Sequence, residues 1–200
     1  MSDLSSRVSI ERESREPRWL PAPRVLRARL PSALREWLLD ESSLTARVTA
    51  ACAGRFRVEV LNQGWARPQC NEARALGLAC GQRAMVRQVY LLCDERPWVF
   101  ARTIIPVSTL TGAQRRLAHL GSRPLGAVLF ADPGMHRGVL QLARIAPGDR
   151  LFATATARLR RQSAAIYGRR SVFRLDDKPL LVSEIFLPEV GQCARRRAPR

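Results

Sequence analysis

The stretch 178-KPLLVSEIFLP-188 decides how the rest of the chain is read. Leu180, Val182 and Phe186 recur at every second position, the period of a β-strand with one buried face. Glu184 falls on that same face. An ionised carboxylate in an apolar interior costs several kcal/mol unless something pairs with it. Glu184 therefore has either a structural partner or a ligand.

Working outward, SVFRL (171–175) precedes this strand across the turn DDKP, and the two read as closing strands. AMVRQVYLLC (84–93) and WVFARTIIPV (98–107) read as a second hairpin around the tight turn DERP. RFRVEVL (55–61) alternates cleanly, with Phe56, Val58 and Val60 on one side and Arg55, Arg57 and Glu59 on the other, as in a half-buried antiparallel strand. GVLQLARI (138–145) is a further strand. Between the strands, PSALREWLLDESSLTARV (31–48) predicts an amphipathic helix or helix pair, capped by Ser32 and interrupted near ESSL. STLTGAQRRLAHLG (108–121) predicts a helix ending at Gly121. RPLGAVLFADP predicts a short helix stopping before Pro133, and APGDRLFATATARLRRQ a loop followed by a helix. Asn62 to Gln82 is turn-rich and irregular. Strand runs with helices interspersed give an α+β single domain with a mostly antiparallel sheet.

A chain of 200 residues with 46% hydrophobic content buries a core of its own. No run of about 18 apolar residues occurs, so no membrane-embedded span is expected. The N-terminus lacks the apolar core of a signal peptide, and a cytoplasmic location is the default. Residues 1–24 are polar and proline-punctuated, and are expected to be loosely ordered ahead of a domain over 25–190. The tail 191–200 is basic and expected to be disordered.

The five cysteines, Cys52, Cys70, Cys80, Cys93 and Cys193, form no CxxC and have two histidines for company. That excludes the usual zinc patterns, and an odd count without a secretion signal reads as free thiols, Cys93 as a small core residue. The net charge is +17, and Lys178 is the only lysine among 34 basic residues. The arginines are dispersed, with no helix-turn-helix, finger or aromatic RNA-binding pattern, so no specific nucleic-acid partner is expected. No GxSxG, P-loop or strand-borne GxGxxG is present. His119 reads as a boundary residue and His136 as a loop residue.

Strand alternation singles out three charges on faces that ought to be core. Arg87 lies with Met85, Val89 and Leu91. Arg102 lies with Trp98, Phe100 and Ile104, and Glu184 with Leu180, Val182 and Phe186. Two readings stay open. One is a buried Arg–Glu pair fixing strand register. The other is a mostly apolar pocket in which arginine takes a carboxylate and an acid takes a hydroxyl or a proton.

LLCDERPWVFARTIIPVSTLTG, RPLGAVLF and YGRRSVFRLDDKPLLVSEIFLP together resemble the chorismate lyase family, over roughly Pro31 to Pro188. The resemblance implies a six-stranded antiparallel sheet with two helical flaps over a buried ligand. The implied reaction converts chorismate to 4-hydroxybenzoate and pyruvate for ubiquinone biosynthesis, without metal or organic cofactor. It implies that Arg87 grips the ligand carboxylate and that Glu184 meets the 4-hydroxyl end. Apolar surroundings favour the neutral acid, so Glu184 is expected to donate a proton toward the ether oxygen, and a monomer is the default expectation. The backbone of Leu125 and of Leu44 would help hold the ligand, and Arg102 would touch the ligand or brace the pocket. The competing class is a non-catalytic ligand-binding module, the effector-sensing domain of GntR-type regulators. About thirty residues ahead of the first helix are too few for a winged helix, which favours the enzyme.

Overall fold

The structure, a computed structural model, describes residues 15–159 and 163–190. Its frame is one antiparallel sheet. The strands are β1 (Leu20–Pro21), β2 (Phe56–Ala66), β3 (Ala84–Cys93), β4 (Arg96–Ile105), β5 (Met135–Arg137), β6 (Gln141–Ile145), β7 (Ile166–Leu175) and β8 (Lys178–Phe186). Their order is β1-β6-β7-β8-β4-β3-β2, with β5 also paired to β7. The sheet therefore has eight strands rather than six. The six expected are present, and the two additions span two and three residues, too short to leave a periodic signal.

Two-residue turns close both central hairpins. Asp94 and Glu95 (φ 47° and 63°) join β3 to β4, and Asp176 and Asp177 (φ 47° and 64°) join β7 to β8. Left-handed dihedrals at both turn positions match the twist of the flanking strands, and Asp tolerates them better than most residues. β4 and β8 then pair centrally, Ala101 opposite Glu184 and Thr103 opposite Val182. This register carries the site.

Helices cover both faces. On the face of Arg87 and Glu184 lie α1 (Ser32–Leu39), α2 (Leu44–Ala51) and α4 (Leu125–Phe130). Trp37, Leu38, Leu44 and Val48 pack there against Val89, Leu91, Val99 and Phe186. Leu117, Leu120 and Leu129 pack against Met85, Phe173, Leu180 and Val182. On the other face α3 (Cys70–Ala75) and α5 (Arg150–Thr156) cover Tyr90, Phe100, Ile104 and Ile185. Burial on both faces explains why each strand places residues of core character on each side. No helix among the described residues is long and apolar enough to cross a membrane.

The expected helix pair over 31–48 forms, broken at residues 40–43, with Ser43 capping α2 by accepting from Ala46 N. The segment expected to be a helix over 108–121 is helical but of the tighter 3₁₀ kind over Gly112–His119. Its buried residues Gln114, Leu117 and Leu120 fall three apart, the period of that helix. β2 runs to Ala66, past the expected end, because a bulge between Val60 and Asn62 resets its register. Of the segment expected to be loosely ordered, residues 15–24 are described and include β1, paired with Gln141 and Leu142. Residues 1–14 and the tail 191–200 lie outside the described residues.

The thiol reading needs correction at two positions. Cys93 is bonded to Cys52 in a disulfide that ties the end of α2 to the end of β3, while Cys70 and Cys80 are free and exposed. The two partners stand 41 residues apart, and no local spacing signals the pairing.

On the α3 face, Arg102 Nε and Nη2 donate to Glu72 Oε1 and Oε2 at 2.8 and 3.0 Å. Glu72 also accepts from the Gln69 backbone to cap α3. Both partners are buried, so removing one leaves an uncompensated charge. Glu72→Ala is expected to cost about 3–5 kcal/mol in urea unfolding. Combining Glu72→Leu with Arg102→Met should recover most of that loss.

Candidate active site

A closed cavity lies between the sheet and the helices of the Arg87 face. Val58, Val89, Leu91, Ala101, Val182, Leu129, Phe130 and Phe173 supply apolar walls, and Leu44, Thr45, Arg87, Thr103, Pro124, Leu125, Gly126 and Glu184 complete the lining. Its free space is about 50 Å³, whereas cavities that admit a benzene ring measure about 150 Å³. A ring-sized ligand therefore enters only if the helical covers give way.

Arg87 projects from β3 and is 2% exposed. Its Nη1 donates to Gln63 Oε1 at 2.7 Å and its Nη2 to the Arg123 carbonyl at 3.4 Å. Among the described residues no carboxylate lies within ion-pairing distance of it. Burial pushes its pKa down, with no neighbouring charge to offset the effect. A buried guanidinium held only by neutral acceptors is an uncompensated cation, and it borders the cavity.

Glu184 marks the other end. Counting across β4, Arg87 sits opposite Thr103, and Glu184 opposite Ala101 two residues away. Two strand spacings and two residue rises put their Cα atoms about 12 Å apart on one face. Long side chains converging from that separation leave a slot for one ring with a polar group at each end. Glu184 has a protein partner that strand alternation within β8 did not reveal. Arg169 of β7 stands opposite it in register, and Arg169 Nε donates to Glu184 Oε2 at 2.6 Å. Glu184 is thus the anionic half of an ion pair and serves as a hydrogen-bond acceptor. The apolar surroundings assumed for a proton-donating acid are interrupted by this guanidinium.

Leu44 and Leu125 are the first residues of α2 and α4. First-turn N–H groups have no partner within their own helix and are available to a ligand. The two covers meet over the cavity at Gly126, where an added Cβ would lie 3.1 Å from Thr45 Oγ1 and 3.4 Å from Ser43 Oγ. Glycine is what allows that approach.

Leu44, Arg87, Leu125 and Glu184 therefore share one cavity. Arg102 does not. It points to the opposite face and is neutralised by Glu72. A roomier cleft of about 400 Å³ on that face includes Arg67, Gln88, Arg102 and Arg150, but its deepest charge already has a counterion. His119 and His136 are exposed and line neither space. Sequence reading also missed Gln63, which orients Arg87. The strand period could have placed it on β2 had the bulge been visible.

The family profile described as chorismate lyase matches residues 16–195. The chain belongs to the chorismate lyase family. Among its relatives, a probable chorismate pyruvate-lyase of Aromatoleum aromaticum is 46% identical over 86% of this chain and 92% of its own length. That of Methylococcus capsulatus is 44% identical over 78% of this chain and 96% of its own, and that of Pseudomonas aeruginosa PAO1 39% identical over 86% and 92%. Among solved structures, PhnF from Mycobacterium smegmatis superposes with a TM-score of 0.55 at 15% identity, over 76% of this chain and 66% of that one. Its effector domain gives 0.52 at 14% identity, over 76% and 91%. At that identity the likeness is one of fold.

For this member of the lyase family, the cavity makes a prediction with two opposite signs. Arg87→Met removes a desolvated charge, so the thermal midpoint of the ligand-free protein should rise. The same change should weaken benzoate binding by about 2–5 kcal/mol in a tryptophan-fluorescence titration. A lower midpoint would mean that the guanidinium is already satisfied.

Proposed function

We propose that this chain cleaves chorismate to 4-hydroxybenzoate and pyruvate. The observation that carries the reading is the buried Arg87, without a carboxylate of its own, at one end of an apolar cavity whose other end presents Glu184. The proposal includes catalysis by a cytoplasmic monomer without metal or organic cofactor, and delivery of the aromatic acid to ubiquinone biosynthesis.

Chorismate carries a ring carboxylate, a 4-hydroxyl and, on the neighbouring carbon, an enolpyruvyl ether. The reaction breaks the C3–O ether bond and removes the C4 hydrogen as a proton. The ring becomes aromatic, and the side chain, released as the enolate with the C–O electron pair, takes up one proton at its methylene carbon to become pyruvate. The thermodynamic drive resides in the substrate, so the protein's task is to hold the reactive conformer and stabilise charge moving onto the ether oxygen.

Arg87 takes the ring carboxylate through its planar fork of donors and recovers the interaction it lacks in the empty pocket. Glu184, already accepting from Arg169, accepts from the 4-hydroxyl and fixes the ring's direction. Acceptance there also pushes electron density toward C4 as its hydrogen departs. The N–H groups of Leu44 and Leu125 supply neutral donors for the carboxylate end, and the apolar walls exclude water from the flat ring. The net positive charge of +17 favours encounter with a dianion without selecting it.

Purified protein should convert chorismate to 4-hydroxybenzoate and pyruvate in equal amounts by chromatography. Glu184→Gln, which keeps shape but weakens the acceptor, should lower kcat by about tenfold or more. Well-folded protein that binds 4-hydroxybenzoate yet leaves chorismate intact would make the domain a ligand sensor.

A further inference from the structure

Arg169 does more than neutralise Glu184. It is 1% exposed, and its guanidinium spends two separate nitrogens on two separate elements. Nε donates to Glu184 at 2.6 Å, while Nη1 donates to the Trp37 carbonyl at 2.8 Å and to the Asp40 carbonyl. Those carbonyls close α1, where a helix leaves acceptors without intrahelical donors and where a cation is favoured.

The cover of the cavity begins at these carbonyls. Residues 40–43 turn α1 into α2, whose Leu44 and Thr45 border the cavity. The turn is tied together by its own hydrogen bonds. Asp40 accepts from Ser42 N at 2.7 Å and from Arg47. Burial opposes its charge, yet these bonds hold its carboxyl down at about 2. Arg137 reaches the same turn from β5, Nη1 donating to the Glu41 carbonyl at 2.7 Å and Nε to Ser171 Oγ at 3.1 Å. Arg137 does not contact Glu184 through a hydrogen bond, whereas Arg169 does.

The five N–H groups of a guanidinium are fixed in one plane. If the α1–α2 turn lifts, the plane of Arg169 must rotate or lose its carbonyls, and Nε shifts relative to Glu184. We propose that Arg169 is a positioning residue that couples docking of the α1–α2 cover to placement of Glu184, so that the acid meets the ligand's hydroxyl end only when this cover is closed. The ligand's identity rests on the function proposed above; the coupling itself does not.

The test combines a double-mutant cycle with hydrogen exchange on the full chain. Arg169→Lys keeps the charge but loses the planar fork, and Glu184→Gln removes the acceptor's charge. Each should lower kcat/KM for chorismate by about tenfold or more. The double variant should fall no more than about threefold below the worse single, because both act through one contact. Backbone amides 42–48 should exchange about tenfold faster in Arg169→Lys while the β7–β8 amides keep their protection, and should rise by a smaller factor in Glu184→Gln, because the coupling is reciprocal. Multiplying effects in the double variant, or unchanged exchange at 42–48, would overturn the coupling. Should Arg169→Lys lose β7–β8 protection altogether, Asp40→Ala decides. It removes the bonds to Ser42 N and Arg47 that hold the same turn and takes no hydrogen-bond or ion-pair partner from Glu184, so faster exchange at 42–48 should come with a kcat lowered about threefold or more, and an unchanged kcat would sink the proposal. If wild type leaves chorismate intact, the function proposed above fails alone, and the same cycle is read from 4-hydroxybenzoate dissociation constants.

Discussion

A guanidinium buried with no carboxylate partner among the described residues is costly, and the arrangement around Arg87 follows from that cost. The residue sits on a central strand whose two faces are both covered, so water cannot solvate it. Gln63 and a backbone carbonyl give it neutral acceptors, which orient the fork without cancelling its charge. The protein accepts a less stable empty pocket and recovers the difference when an anion arrives. Desolvation of this kind gathers at functional sites, and at Arg87 it borders a cavity.

The two faces of the sheet treat buried charge differently. On the α3–α5 face, Arg102 is matched by Glu72, and Arg170 is placed between Gln141, Asn71 and the Trp19 ring, with burial pushing it down to about 10. These groups brace helices and the first strand. Among the described residues of the cavity lining, the acid Glu184 has a cation and the cation Arg87 has no acid, an asymmetry that leaves the Arg87 charge for the ligand. Four buried arginines also account for part of the arginine-rich composition without any nucleic acid. Sheet architecture alone does not decide chemistry; what lines the cavity does.

The long hairpins were legible because alternation, turn residues and strand length agreed, and alternation put Arg87 and Glu184 on core-facing sides; Leu44, Leu125 and the shared pocket came from the family resemblance. Three kinds of feature were not legible. β1 and β5, two and three residues long, are too short for alternation to repeat. The Arg169–Glu184 contact depends on the β7–β8 register, and each strand alone shows only half of it; GRRS marks a strand start without saying which arginine faces the acid. Glu72 lies in a segment that reads as irregular, so Arg102 looked like a pocket residue when its partner was a short helix on the other side. The Cys52–Cys93 bond joins a helix end to a strand end through tertiary proximity that no spacing encodes.

The most direct measurement is a crystal structure with 4-hydroxybenzoate bound. The carboxylate should lie on the Arg87 guanidinium and the hydroxyl on Glu184, with Leu44 and Leu125 N–H groups directed at the ligand and Arg169 still bridging Glu184 to the end of α1. A ligand bound in the reverse direction, or in the Arg67–Arg102 cleft on the opposite face with Arg87 still facing only Gln63, would contradict the account.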